Sequence, residues 1–105
     1  MLVDVAVIPL GGDTHLSDEI AEILKLVDAS GLPYQLTPSG TCIEGGWDEV
    51  MPLLRRCHER ALQSSSHVIT IVRIEDEQGA RNKLVSNVAS VERKVGHPLK
   101  RLPPG

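Results

Sequence analysis

Apolar residues recur at every second position between Leu2 and Pro9. This period is typical of a β-strand with one side in a hydrophobic core. A later segment, His67 to Glu75, follows the same period but is apolar on both sides through much of its length. Two short runs, "PYQLT" and "TCIEG", flank Pro38, Ser39 and Gly40, a spacing typical of a tight antiparallel hairpin. The pattern therefore predicts four strands.

Three other segments carry apolar residues at helical spacing. The first predicted helix has its N-cap at Ser17 and its end at Gly31. The second has its N-cap at Asp48, with Pro52 near the end of the first turn, and the third ends at Gly96. The apolar stripes are Leu16, Ile20, Ile23, Leu24 and Val27 in the first helix, Val50, Leu54, Cys57 and Ala61 in the second, and Leu84, Val88, Val91 and Val95 in the third.

These elements follow the order β-α-β-β-α-β, with one added C-terminal helix. The order predicts a ferredoxin-like sandwich, an α+β fold in which helices cover one face of a four-stranded antiparallel sheet. We expect one domain over residues 1–96 and a Pro-rich tail over residues 97–105. The other face of the sheet is left open, and it carries Ala6, Ile8, Ile69 and Ile71. An apolar patch of this kind favours self-association.

Composition and charge exclude several classes of partner. The 105 residues carry a net charge of -3, and a nucleic-acid-binding protein would need a basic face. Asp4 in the first segment, which has no basic region, favours a strand over a signal peptide, and no apolar run approaches the ~18 residues of a membrane span. We therefore expect a cytoplasmic protein. Cys42 and Cys57 form no zinc-type motif and the histidines are scattered, so we expect reduced cysteines and no metal site.

The joint between the third predicted strand and the second predicted helix, "SGTCIEGGWDEV", gathers polar and aromatic side chains. Thr41 and Glu44 precede Trp47, the only tryptophan of the chain. One interpretation is purely structural, with an exposed hairpin carboxylate, a strand-forming threonine and a packing tryptophan. The other is a ligand clamp, in which Trp47 stacks on a flat or cationic ring, Glu44 accepts from an amino group and Thr41 orients it. Both interpretations remain open.

Three stretches carry a family resemblance, namely "VAVIPLG", "SGLPYQLTPSGTCIEGGWDEVM" and "VSNVASVERKVG". They resemble the small thiamine-binding proteins, relatives of the YkoF-like proteins, and the run from Gly40 to Gly45 is the most specific part. The resemblance covers nearly the whole chain. It implies a ferredoxin-like fold, a homodimer or homotetramer, and binding of thiamine or its hydroxymethylpyrimidine half, with no cofactor and no catalysis. The candidate ligand-binding residues are Ile8, Pro9, Leu10, Gly11, Ser39, Gly40, Thr41, Glu44 and Trp47.

Two other functions remain possible. A structural or regulatory oligomeric module would act through the open sheet face and bind no small ligand. An acylphosphatase-like hydrolase would need an arginine in a phosphate loop after the first strand, and "PLGGDTH" contains neither Arg nor Lys. The sequence thus favours non-catalytic binding of thiamine or a related pyrimidine in a pocket near a subunit interface, without nucleic acid or membrane as partner.

Overall fold

The computed structural model describes residues 1–11, 16–79 and 82–100. Within these ranges the chain forms β1 (Leu2–Leu10), α1 (Leu16–Ala29), β2 (Tyr34–Thr37), β3 (Gly40–Glu44), α2 (Trp47–Ser64), β4 (His67–Glu75) and α3 (Lys83–Val95). The strands form an antiparallel sheet in the order β2-β3-β1-β4. This is the α+β sandwich that the element order predicts. The predicted tail, 97–105, lies partly outside the described residues.

Strand register decides which side chains reach the core. Val3 and Val5 of β1 lie opposite Ile43 and Thr41 of β3, and all four are buried. The buried hydrophobic core comprises Val3, Val5, Ile23, Val27, Ile43, Val50, Leu53, Leu54, Cys57 and Ala61. Because these residues come from one face of β1 and β3 and from the inner sides of α1 and α2, the core lies between the sheet and these two helices.

Much of the other sheet face is uncovered within the described chain, as predicted. On this face Ala6 lies opposite Ile71, and Ile8 lies opposite Ile69. Ile71 is 57% exposed and Ile69 is 44% exposed. The final helix α3 does not bury these side chains, and none of its own residues is buried. The domain therefore presents apolar surface on both the open face and α3.

A polar row crosses this open face. Asp4 of β1 lies between Cys42 of β3 and Arg73 of β4. The Cys42 thiol donates to Asp4 Oδ1 at 2.8 Å, and Arg73 Nη2 donates to Asp4 Oδ2 at 3.2 Å. Burial, together with the hydrogen bond to Asp4, raises the pKa of the Cys42 thiol to about 11. The thiol therefore stays protonated at neutral pH and acts as a hydrogen-bond donor.

The helix ends differ in part from the sequence predictions. The N-cap of α2 is Gly46 rather than Asp48, because Glu49 Oε1 reaches back to accept from the Gly46 N–H at 3.1 Å. Pro52 consequently lies inside α2, where it has no N–H to donate. Ser17 lies within α1 and is not its N-cap.

The predicted helix stops are confirmed. Gly31 after α1 has φ of 76°, and Gly96 after α3 has φ of 95°. Both lie in the left-handed region that favours glycine.

Candidate functional site

A cleft of about 240 Å³ lies where β1 continues past the end of β3. The pairing of β1 with β3 stops at Val5 and Thr41, whereas the pairing of β1 with β4 continues to Leu10 and His67. The sheet therefore has a notch beside the second half of β1. One side of the notch is covered by α1, and the turn between β2 and β3 forms its rim.

Most of the cleft lining is apolar, with polar groups near the hairpin. Ile20 and Leu24 of α1 contribute apolar side chains, while Ser39 and Thr41 contribute hydroxyls. Thr41 is only 6% exposed. An apolar cleft with a few placed polar groups is the usual form of a small-molecule site.

Gly40 sets the position of the hairpin wall of the cleft. A Cβ atom added at Gly40 would lie 2.7 Å from the backbone oxygen of Val5. A side chain at this position would therefore push β3 away from β1. Thr37 fixes the same turn, because its hydroxyl donates to the Gly40 carbonyl at 3.0 Å. The hairpin can reach the edge of β1 only with glycine at position 40.

Glu44 lies at the opposite end of β3 and on the open face. Its Oε2 accepts from the Lys83 backbone N–H at 2.7 Å, and its Oε1 accepts from the Leu84 backbone N–H at 3.3 Å. These are two of the N–H groups that a helix leaves without partners at its N-terminus. The formal N-cap, Asn82, has φ of 57° and makes no side-chain cap. Glu44 therefore caps α3 from a different element.

Lys83 adds an ionic contact beside this cap. Its Nζ lies 3.3 Å from Glu75 Oε1 and also hydrogen-bonds to Glu77. These two hydrogen bonds raise the pKa of Lys83 above its ordinary value. The lysine therefore stays charged over the whole neutral range, and it connects the start of α3 with the end of β4.

The structure does not bring Thr41, Glu44 and Trp47 into one pocket. Thr41 and Glu44 are three positions apart in a strand, so their side chains lie on opposite faces, and about 10 Å of strand separates them. Trp47 is the first residue of α2 and is 53% exposed. A ligand role for Glu44 and Trp47 stays a prediction.

The other predicted site residues divide between the cleft and the far end of β1. Ile8, Ser39, Gly40 and Thr41 line the cleft. Pro9 and Leu10 lie opposite Val68 and His67 of β4, and Gly11 follows β1 with φ of 75°. Residues 12–15, the rest of the loop "PLGGDTH", lie outside the described residues.

Sequence reasoning missed the part of α1 that lines the cleft. The available signal was a mismatch in strand length. A nine-residue β1 cannot be paired along its whole length by a five-residue β3. Such a mismatch predicts an unpaired edge, and the helix that follows β1 is the element placed to cover it.

The described residues show neither a metal-binding cluster nor a membrane-spanning helix. In residues 1–11, 16–79 and 82–100, no group of three or more His, Cys, Asp or Glu residues is placed to hold a metal ion. No helix within those ranges has the length and apolar character needed to cross a bilayer. Burial raises the pKa of the Cys57 thiol, as it does for the Cys42 thiol.

The sequence is similar to those of several bacterial UPF0045 proteins. It is 34% identical over 100 residues to the UPF0045 protein YqgV of Bacillus subtilis, covering 90% of this chain and 96% of that protein. It is 38% identical over 98 residues to a UPF0045 protein of Staphylococcus xylosus, covering 88% of this chain and 92% of the relative.

Solved structures show the same fold. A hypothetical protein from Methanocaldococcus jannaschii superposes with a TM-score of 0.79 at 20% identity, over 86% of this chain and 93% of that one. A Thermotoga maritima protein described as a thiamine biosynthesis/salvage protein superposes with a TM-score of 0.71 at 23% identity, over 82% and 95% of the two chains. The model of the family described as thiamine-binding protein matches residues 3–92. The chain belongs to this thiamine-binding protein family.

Proposed function

We propose that this protein binds thiamine or a related pyrimidine, without catalysis, in the cleft between α1, β1 and the β2–β3 hairpin. One observation carries the proposal. Ser39, Gly40 and Thr41, from the stretch with the strongest family resemblance, line an apolar cleft in the described structure. The family match supports the ligand class, and the lining of the cleft supports the proposed location.

The dimensions and chemistry of the cleft suit the pyrimidine half of thiamine. Its volume of about 240 Å³ lies just below the ~300 Å³ at which pockets for drug-sized ligands begin. A single methylated ring can lie between the aliphatic side chains of Ile20 and Leu24 and the sheet, with the hydroxyls of Ser39 and Thr41 near its polar edge. The thiazolium half would then extend toward solvent or toward a second subunit.

Calorimetric titration with thiamine, thiamine phosphate and the hydroxymethylpyrimidine fragment tests this function. Thr41→Val keeps the shape of the side chain but removes its hydroxyl, so we expect affinity to fall about 3–10-fold, the loss of one hydrogen bond. The matched control is Thr70→Val, because Thr70 hydrogen-bonds His58 and does not line the cleft. Absence of binding heat for all three compounds would overturn the proposal in favour of a ligand-free module.

The same titration, followed by the fluorescence of Trp47, locates the ligand. A ligand in the cleft lies at the other end of β3 from Trp47, so we expect its emission to change little. Strong quenching on binding would instead place the ligand at the clamp of Glu44 and Trp47. Because Trp47 is the only tryptophan, the signal has a single source.

We further propose that the open sheet face joins subunits into a homodimer or homotetramer. Ile8, Ile69 and Ile71 leave apolar surface exposed there. Monomeric soluble proteins rarely expose large apolar patches to solvent. Ile8 also lines the cleft. A second subunit on this face would therefore cover the side of the cleft where Ile8 lies.

Ile71→Lys is expected to split this assembly, since it would bury an unpaired charge in the interface. Static light scattering at micromolar concentration measures the mass. The matched control is Leu62→Lys, because Leu62 is an exposed residue of α2, on the helical layer, and its replacement should leave the mass unchanged. A parent protein that is already monomeric would contradict the interface.

A further inference from the structure

The backbone of β1 points alternately toward its two neighbouring strands. On the β3 side, the Met1 amine donates to the Gly45 carbonyl at 3.0 Å, and the Gly45 N–H donates to the Met1 carbonyl at 3.1 Å. On the β4 side, the Leu10 carbonyl accepts from the Ser65 hydroxyl at 3.0 Å. Successive residues of a strand direct their backbone groups to opposite sides. The N–H and C=O groups of odd-numbered residues in β1 therefore face β3.

This alternation leaves Val7 without a ladder partner on the β3 side, although it lies opposite Thr70 in the ladder with β4. Val3 and Val5 lie opposite Ile43 and Thr41, but β3 starts at Gly40 and the ladder with β1 goes no further. The ladder with β3 stops at Val5, and none of the hydrogen bonds that the described turns and loops make involves the Val7 N–H or C=O. Val7 is half-buried and lines the cleft, so its backbone groups face the space that the ligand is proposed to occupy.

Pro9 gives this unpaired edge a distinct composition. It is the next odd-numbered residue and has no N–H, so it adds only a carbonyl. Among the described residues, this edge therefore leaves one donor, the Val7 N–H, and two acceptors, the carbonyls of Val7 and Pro9, without ladder partners on the β3 side. Backbone groups that lose water without gaining a partner cost free energy. A ligand that fills the cleft must satisfy them, and it must supply more donors than acceptors.

We propose that the Val7 backbone reads the amino-bearing edge of the pyrimidine, with its N–H donating to a ring nitrogen and its C=O accepting from the exocyclic amino group. This inference rests on the proposed function and names the group that selects the ligand. The acceptor for the exocyclic amino group is then the Val7 carbonyl and not Glu44. Both carboxylate oxygens of Glu44 already accept from backbone N–H groups at the start of α3. An aminopyrimidine supplies the required acceptor and donors side by side.

Hydrogen exchange of individual amides, followed by NMR on the unmodified protein, tests the geometry. In the free protein we expect the Val7 amide to exchange faster than those of Val5 and Ile8, whose backbone groups face paired strands. Saturation with the hydroxymethylpyrimidine fragment should slow the exchange of Val7 about tenfold, while Val5 and Ile8 change little. A Val7 amide that is as protected as Val5 in the free protein overturns the inference.

The ligand side of the test compares two pyrimidines. The same compound without its amino group would leave the Val7 carbonyl unsatisfied, so it should bind about tenfold more weakly than the amino form. Equal affinity of the two, or an unchanged Val7 amide at saturation, would overturn backbone readout while leaving binding in the cleft intact. Absence of binding by both compounds is a different result, because it rejects the proposed function itself.

Discussion

Gly40→Ala is expected to lower the free energy of unfolding by about 2–3 kcal/mol, at the upper end of the cost of overpacking. The added Cβ would lie 2.7 Å from the Val5 carbonyl oxygen. That oxygen belongs to the backbone of β1, which is paired with strands on both sides, so it cannot move away as a flexible side chain would. Urea denaturation followed by circular dichroism measures the change.

Gly46→Ala is the matched control for this substitution. The nearest atom to a Cβ at Gly46 is Glu49 Oε1, a flexible side-chain atom at 3.4 Å. The backbone of Gly46 is extended, with φ of -83°, so alanine fits without strain. As an N-cap change it should cost less than about 1 kcal/mol. Equal losses in the two variants would show that the close approach of β3 to β1 does not matter.

Glu44→Ala is expected to release α3 from the domain while leaving the rest folded. The substitution removes both acceptors for the Lys83 and Leu84 amides, as well as a negative charge at the N-terminus of the helix. Loss of such a cap costs about 1–2 kcal/mol. Since α3 buries no residue, the ion pairs of Lys83 with Glu75 and Glu77 are the contacts described at its start that would remain. We expect its amides to exchange about tenfold faster.

Glu49→Ala provides the comparison. Glu49 caps the N-terminus of α2 through Gly46, yet α2 is also held by Val50, Leu53, Leu54, Cys57 and Ala61, all of them buried. The same kind of substitution should therefore fray only the first turn of α2 and leave its central amides protected. If Glu44→Ala changes α3 no more than Glu49→Ala changes the middle of α2, the carboxylate does not anchor α3.

The fold was predictable because its determinants are local. The two-residue period of β1, the helical stripes of α1 and α2, and the two-residue turn at Pro38 and Ser39 each appear within a short window of sequence. Alternation also determines the faces, so the sequence alone predicts that Ile69 and Ile71 lie on the open side. The start of α2 was harder to predict from the sequence, because Gly46 acts as its N-cap only through the side chain of Glu49.

The candidate site depended on contacts between distant parts of the chain. Glu44 caps a helix that begins 39 positions later, and no local sequence pattern predicts this contact. The strand period alone, however, separates Thr41 from Glu44, since residues three apart in a strand face opposite ways. The cleft required both the unequal lengths of β1 and β3 and the path of α1 across the resulting notch.

The position of β1 at the centre of the sheet has a consequence for folding during synthesis. The strand β1 is made before both of its neighbours, and β4 follows only after α2, so that the paired residues Asp4 and Arg73 are 69 positions apart. Until β4 has left the ribosome, β1 carries an unpaired edge and an apolar face. Such non-local pairing slows folding, and transiently exposed strand edges promote aggregation. The interval before β4 emerges is therefore the stage at which a nascent chain of this protein most needs protection by chaperones.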